Sequence, residues 1–273
     1  MRVAFQGERG AFSEEASRRL LGGDLELAPC PSFEEVFRSL DSGEVDRAVV
    51  PMENSLAGSV HENYDLLLRY RLPIVEETNV RIVHNLIAAP GVGFSSLRRV
   101  FSHPVALNQC RNFFRRHTRI QAVPFYDTAG SVKMLMEERL QDAAAIAPAA
   151  AVPIYGARIL RRGLEDDKEN YTRFFLLARS RRGFPKEAAN KTSIVFTTRN
   201  VTGALFKCLA VFALRDISLT KIESRPFHGR PWEYLFYLDF LGRAGETRCR
   251  NALHHLAEIT DLLRVLGSYE RAK

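Results

Sequence analysis

Several things are scarce in this sequence, and each scarcity closes off a class of protein. In 273 residues there is one tryptophan and there are four cysteines. Cys30, Cys110, Cys208 and Cys249 lie far apart and form no Cys-x-x-Cys pair. In a chain of this length that pattern argues for reduced, half-buried thiols rather than a disulfide framework, and it favours the cytosol. No apolar run approaches the roughly 20 residues that a membrane span requires. The most apolar stretch, residues 143–155, is interrupted by Pro148 and Pro153. The opening Met1-Arg2-Val3-Ala4-Phe5-Gln6-Gly7-Glu8-Arg9-Gly10 has no apolar core of a signal peptide. There is no internal repeat and no low-complexity segment.

The common catalytic and nucleotide signatures are missing too. The chain has no GxxxxGK[ST], no GxSxG and no HExxH, and Gly91-Val92-Gly93 lacks the third glycine of a dinucleotide turn. His254 and His255 are adjacent, so on a helix they point about 100° apart and share a metal poorly. His103 and His117 stand seven residues either side of Cys110, which predicts one shared helix face. A lone thiol there reads as core rather than nucleophile. No metal site is expected.

What is present is ordinary for a globular protein: 46% hydrophobic and 26% charged residues, in a length that is enough for one large domain or two modest ones. The formal charge of +7 comes from 39 Lys+Arg against 32 Asp+Glu. The arginines are scattered in pairs, such as Arg18-Arg19 and Arg161-Arg162, and never form a run interleaved with aromatics. This reads as a solvated basic surface, compatible with an anionic metabolite, with neither nucleic acid nor membrane as partner.

The N-terminal pattern is β-α-β-α-β. Residues 2–6 read as a strand, Ser13 caps a helix with Glu14 and Glu15 in its first turn, and Ser32-Phe33-Glu34-Glu35 opens a second helix that Gly43 ends. Residues 47–51 form a buried strand. Pro73 marks a break, and residues 74–89 are β-rich. The rhythm then restarts: strands at 100–102, 120–123 and 143–147, Pro104 at the first position of one helix, and Asp127 or Thr128 capping another. Residues 173–178 are apolar and return to the first lobe.

The clearest boundary is 179–190, charged and containing Gly183 and Pro185. Beyond it come a strand at 191–198, a helix at 203–215, strands at 219–226 and 234–241, a helix at 247–260 and a strand at 262–269. His228-Gly229-Arg230-Pro231 turns the chain, and Tyr234, Phe236, Leu238 and Phe240 share one side of their strand. The order βαββαβ predicts a ferredoxin-like unit.

Polar clusters fall at the C-terminal ends of strands, where α/β folds build sites. They are Glu53-Asn54-Ser55 with Gly58-Ser59, Ser102-His103-Pro104 with Gln109, and Asp127-Thr128-Ala129-Gly130-Ser131. Each offers hydroxyls or free backbone N–H groups suited to an anion. Each alone is also an ordinary helix cap, but three together favour a cleft between two lobes. In Asn170-Tyr171-Thr172-Arg173-Phe174, Arg173 suits a carboxylate and Thr172 a hydrogen bond; a strand start with a surface arginine fits equally well.

Jointly these motifs resemble the prephenate dehydratase family. The match runs through Phe5-Gln6-Gly7-Glu8-Arg9-Gly10-Ala11-Phe12-Ser13, Pro51-Met52-Glu53-Asn54-Ser55-Leu56-Ala57-Gly58, Ser102-His103-Pro104, Gln109-Cys110, Thr128-Ala129-Gly130-Ser131 and Thr172-Arg173-Phe174. In the tail, Gly203-Ala204-Leu205 and Glu223-Ser224-Arg225-Pro226 resemble the family's two phenylalanine-sensing motifs. The resemblance implies a two-lobed α/β catalytic domain like a periplasmic binding protein over residues 1–180. Lobe one spans about 1–75 plus 171–180 and lobe two about 76–170, followed by an ACT regulatory domain over 191–273. It implies a cytoplasmic, feedback-regulated enzyme of phenylalanine biosynthesis that needs no cofactor, takes prephenate, answers to L-phenylalanine, and assembles as a homodimer or homotetramer through its ACT and catalytic domains. With no chorismate mutase segment before Arg2, a monofunctional enzyme is expected. Arogenate dehydratase is the near alternative, and a non-catalytic aromatic amino-acid sensor is the alternative from another class.

The chemistry suits the residue types. Prephenate carries two carboxylates and a ring hydroxyl, and losing one carboxylate with the hydroxyl gives an aromatic ring. Oriented donors suffice to hold it and to help hydroxide leave. The family's essential threonine corresponds to Thr172, expected to hydrogen-bond the departing hydroxyl, with Glu53 as a proton source if burial raises its pKa. Asn54 and Gln109 join the catalytic set. Ser55, Gly58, Ser102, His103, Thr128, Ala129, Gly130, Ser131, Arg173 and Phe174 are expected around the substrate. Gly203, Ala204, Leu205, Glu223, Ser224, Arg225 and Pro226 are expected around phenylalanine. Val105 and Tyr171 depart from the family's usual residues and could tune the pocket.

Overall fold

The structure is a computed structural model that describes residues 1–184, 187–198, 201–227 and 232–272. Pro185 and the His228-Gly229-Arg230-Pro231 turn lie outside the described residues. The chain divides into two compact units: Met1–Tyr70 with Thr78–Leu176, and Arg71–Glu77 with Leu177–Lys273.

The first unit begins with β1 (Arg2–Gln6), α1 (Phe12–Leu21), β2 (Glu26–Cys30), α2 (Phe33–Ser42) and β3 (Arg47–Asn54). The two-residue strand β4 (Gly58–Ser59) folds back on the end of β3, pairing Ser59 with Glu53 and Gly58 with Asn54. Then come α3 (His61–Tyr70) and β5 (Ile74–Arg81). Lobe two contains β6 (Asn85–Ala88), β7 (Arg99–Ser102), α4 (Pro104–Asn108), α5 (Arg111–Arg116), β8 (Gln121–Pro124), α6 (Thr128–Glu137), β9 (Ala143–Ala147), α7 (Ala151–Tyr155) and β10 (Arg158–Arg161). The chain then returns as β11 (Tyr171–Leu177).

Two sheets result, ordered β2-β1-β3-β11-β5 and β10-β6-β9-β7-β8. Strand β1 runs parallel to β2 and β3, as helical crossovers require. The alanine-rich β9 is buried on both faces, so its alternation feeds two cores. Ala144 and Ile146 pack with Leu86, Val100 and Phe113. Ala143, Ala145 and Ala147 pack with Ile87, Val132 and Leu135 of the opposite face. Small side chains there let α6 lie close to the sheet.

Capping follows the sequence in part. Ser32 accepts the Glu35 N–H, and Gly43 closes α2 in the left-handed conformation (φ 87°). Asp127, not Thr128, caps α6 by accepting the Gly130 N–H. The Ser13 cap is corrected: Ala11 precedes a helix that starts at Phe12, and no side chain caps it. Glu14 acts instead, accepting the Gly10 N–H at 2.9 Å. The shared face of His103, Cys110 and His117 is also corrected, because Gln109 ends α4 and Cys110 precedes a separate α5. The Cys110 thiol is fully buried and its pKa is pushed up by burial, which suits a core residue. Helix α3 and strands β4 and β10 have no counterpart in the sequence reading.

The second unit runs β12 (Lys191–Thr197), α8 (Ala204–Ala213), β13 (Leu219–Pro226), β14 (Tyr234–Leu241), α9 (Thr247–Glu258) and β15 (Leu263–Tyr269). Its sheet is antiparallel in the order β13-β14-β12-β15, the ferredoxin-like arrangement. One face carries Ile194, Phe196, Phe236, Leu238 and Phe240 against Phe212 and Leu256 of the helices. The other face is not solvated as simple alternation suggests, since Tyr237, Asp239 and Tyr269 are buried there. The unit's own segment Arg71–Glu77 meets that face: the Lys191 ammonium reaches both Glu77 oxygens at 3.0 Å. A Cβ added to Gly267 would overlap the Ile74 carbonyl, so only glycine permits this approach.

Candidate active site

The first unit holds a cleft of about 570 Å³, lined from both lobes. Five helices begin at its wall: Phe12 and Ser13 of α1, Ser32 and Phe33 at α2, Val60 and Glu62 at α3, His103 and Val105 at α4, and Asp127 and Thr128 at α6 all line it. Helix N-termini offer unpaired N–H groups and a positive potential. No lysine or arginine is among the lining residues.

The floor of the cleft is a chain of neutral polar groups. The Asn54 amide donates to Thr172 Oγ1 at 3.0 Å, to Asn170 Oδ1 at 2.7 Å and to the Tyr171 carbonyl at 3.1 Å. Its oxygen accepts the Leu56 and Ala57 N–H groups at 3.0 and 2.8 Å. Gln109 donates to that same oxygen at 3.1 Å, and His84 Nε2 lies 2.9 Å from Gln109 Oε1. Thr172 is only 8% exposed. Burial lowers the pKa of His84, with the Gln109 bond opposing, and burial lowers that of His103.

Strand geometry sorts the remaining expected residues. Thr172 and Phe174 of β11 line the cleft, and Arg173 between them is turned away, as alternation demands. Arg173 pairs with Glu53 at 2.8 Å and stacks over Phe175 at 4.9 Å. Neither Glu53 nor Arg173 lines the cleft, so the expectation of a proton source and a carboxylate partner there is revised. Ser55 braces the floor, donating to the Glu169 carbonyl and accepting the Tyr171 N–H. Gly58, His103 and Thr128 line the cleft.

Ser102 does not line it. This residue is fully buried in β7 and donates to the Ile146 carbonyl at 2.6 Å. Ala129, Gly130 and Ser131 also stand behind the wall, where the Gly130 N–H and Ser131 hydroxyl satisfy Asp127. Their part is to build the start of α6. Burial raises the Asp127 pKa, with N–H groups of Gly130, Glu8 and Ala129 opposing it.

Sequence reasoning missed His84, which lies in a β-rich stretch with no motif around it. Tyr126 was missed too; it lines the cleft and donates to Glu8 at 3.0 Å. That bond ties the Gly7-Glu8-Arg9-Gly10 loop of lobe one to lobe two. Gly10 (φ 83°) sits so close to Ala151 that a Cβ would come within 2.7 Å of its Cα.

In the second unit, Gly203 precedes α8 in the left-handed conformation (φ 77°), with Ala204 and Leu205 in the first turn. Glu223, Ser224, Arg225 and Pro226 end β13, where Ser224 pairs with Phe236 of β14. Strand β13 is an edge of its sheet.

A two-lobed α/β unit with a neutral donor chain beneath helix N-termini suits the binding of a small polar metabolite. Residues 3–182 match the family model Prephenate dehydratase, and the chain belongs to that family. It is 47% identical to arogenate dehydratase/prephenate dehydratase 2, chloroplastic, of Arabidopsis thaliana, over 98% of this chain and 72% of that protein. A prephenate dehydratase from Arthrobacter aurescens, solved in complex with L-Phe, superposes with a TM-score of 0.90 at 32% identity, covering 99% of this chain and 90% of that one. A chain described as GqqA, a novel type of quorum quenching acylase, superposes with the same TM-score of 0.90 at 32% identity, covering 99% and 98%. Among the described residues, no helix is long and apolar enough to cross a membrane.

Proposed function

We propose that this enzyme converts prephenate to phenylpyruvate, water and carbon dioxide, and that Thr172 is the donor to the departing hydroxyl. The carrying observation is the direction of the hydrogen bond between Asn54 and Thr172. Thr172 Oγ1 accepts from Asn54 Nδ2 at 3.0 Å, which leaves its own proton for the cleft. In the reaction the bond from the ring to its carboxylate breaks, and that electron pair enters the ring. The C–O bond breaks at the opposite ring carbon, and hydroxide leaves as water, hydrogen-bonded by Thr172 while the net proton it takes up is drawn from solvent. A preorganised hydroxyl stabilises charge as it develops on that oxygen. Asn54 and Gln109 hold it, and the helix starts around the cleft receive the carboxylates through N–H groups and hydroxyls, in place of the arginine expected from the sequence.

The test is turnover of purified protein with prephenate and with arogenate, reading phenylpyruvate and phenylalanine respectively. Prephenate turnover is the expected result. Arogenate as the only substrate would move the assignment to the amino analogue, which the names of the plant relatives favour as second reading. Hydrolysis of the amide bond of an N-acylated amine, without either elimination, would point to acylase chemistry.

The second unit is proposed as an ACT domain that binds phenylalanine near Gly203, Ala204 and Leu205 and near Glu223, Ser224, Arg225 and Pro226, with a second copy completing the site. Its βαββαβ topology and the L-Phe complex of the Arthrobacter aurescens relative support this. Activity that is flat across a wide phenylalanine titration would refute it.

A further inference from the structure

We propose that His84 is a positioning residue for the elimination, acting through Gln109 and Asn54 to fix where the Thr172 hydroxyl aims its proton; this rests on the reading of the cleft given above. The argument starts from two backbone groups. The Leu56 and Ala57 N–H groups both donate to one atom of the Asn54 side chain, at 3.0 and 2.8 Å, so that atom is the oxygen. The nitrogen must then face Asn170 Oδ1, Thr172 Oγ1 and the Tyr171 carbonyl, all acceptors. Asn54 therefore cannot be turned over.

Gln109 inherits its orientation from Asn54. Its amide group 3.1 Å from Asn54 Oδ1 has to be the NH₂, which turns Oε1 towards His84 Nε2 at 2.9 Å. An oxygen there needs a donor, so His84 carries its proton on Nε2. Nδ1 is left as a buried lone pair with no hydrogen-bond partner among the described residues. All the bonds then run one way, from His84 to Gln109 to Asn54 to Thr172. The opposite tautomer would turn the Gln109 amide and set its oxygen against that of Asn54.

The ends of this chain are clamped. Glu165 accepts the His84 N–H at 2.9 Å, and the Leu164 N–H donates to the His84 carbonyl at 2.8 Å. The next residue but one, Asp166, donates its N–H to the Gln109 carbonyl at 2.7 Å. A single loop thus fixes both backbones. The Phe12 ring meets the imidazole edge-on at 5.8 Å and 78°, which fixes the ring plane. His84 is 2% exposed, so water does not replace the bond freely.

A double-mutant cycle in the full chain separates this role from mere packing. His84→Phe fills the space without a donor, and His84→Gln keeps a nitrogen donor at similar reach. We expect His84→Phe to lower kcat by about 10- to 100-fold with KM within about threefold, and His84→Gln to restore most of it. In a Gln109→Ala background the His84→Phe change should cost less than about twofold more, because coupled residues are not additive. Additive losses, or a His84→Gln enzyme as poor as His84→Phe, would overturn the proposal. The ¹⁵N shifts of the His84 ring give a readout without turnover: a protonated Nε2 is expected, and a protonated Nδ1 in an active enzyme overturns the positioning role alone. A wild-type protein inert to both prephenate and arogenate instead sinks the reading of the cleft, and the catalytic role of His84 with it.

Discussion

The two units bury their polar groups in opposite ways. In the first, His84, Gln109, Asn54 and Thr172 form a chain of neutral groups that ends on a hydroxyl at a cleft. In the second, Lys191 contacts Glu77 at 3.0 Å and Asp239 at 3.7 Å, with side chains 7%, 2% and 7% exposed. Ser193 bridges Asp239 and Tyr269, and the Ala272 N–H closes on Glu77. The charged cluster turns all its groups inward and ties Arg71–Glu77 to its own sheet. The neutral chain keeps one proton uncommitted. Buried charge here reads as architecture, and buried neutral polarity as chemistry.

The largest effect that could break this contrast is at Thr172. Thr172→Ala should lower kcat by about 10²- to 10³-fold, the cost of removing one preorganised donor, with the melting temperature little changed. Thr172→Ser should keep most activity. An alanine variant with wild-type turnover would remove the hydroxyl from the mechanism. The next effect is one of stability. Lys191→Met removes the ammonium that lies between the two carboxylates and should cost about 3–5 kcal/mol, read by chemical denaturation. Replacing Glu77 as well with leucine should recover part of that loss. If Lys191→Met proved nearly neutral, the cluster would not be the clasp described.

A smaller effect is expected at Glu53. As a general acid its loss would cost about 10²- to 10⁴-fold. Because it pairs with Arg173 outside the cleft lining, Glu53→Gln should lower kcat by less than about tenfold. A glutamine can still accept from the guanidinium, so Arg173 keeps its place over Phe175.

Glu53 also shows where legibility in the sequence ended. Strand periods gave β1, β9, β13 and β14 with their observed bounds, because each is an apolar or alternating stretch flanked by turn residues. Helix α3 was missed because it opens on the polar run His61-Glu62-Asn63, ahead of its apolar Leu66, Leu67 and Leu68. At the site, motifs brought Asn54, Gln109 and Thr172 to attention, and the structure joins all three. Motifs carry no direction, however. Arg173 and Glu53 sit beside cleft residues in sequence, and alternation along β11 turns Arg173 to the far side. Ser102 lies in the same motif as His103, yet its hydroxyl is spent inside the lobe-two sheet. His84 had no motif to announce it, since its contact with Gln109 spans 25 residues of sequence.

The smallest effect concerns Glu14, a charged group serving the cleft unit as Glu77 serves the other. Its carboxylate accepts from the Gly10 N–H at 2.9 Å, from Arg9 at 2.9 Å and from Arg18 at 2.9 and 3.0 Å. Burial alone would raise its pKa, but the Gly10 bond and the two guanidinium groups outweigh burial and hold it below the usual 4.5. The folded protein therefore binds this proton less tightly than the unfolded chain. The stabilisation is complete above 4.5 and is lost as pH falls below that value through the lowered pKa. Glu14→Gln should melt lower than wild type at neutral pH, and the gap should narrow on acidification. Arg9 and Arg18 are 45% and 42% exposed, so salt should also narrow it. Because Glu14 pins the loop whose Gly10 packs on Ala151, its loss should loosen that packing while leaving the donor chain at Thr172 intact. The expected signature is a raised KM with kcat retained. A drop in kcat as large as that of Thr172→Ala would show that the charged pin and the neutral chain act as one unit.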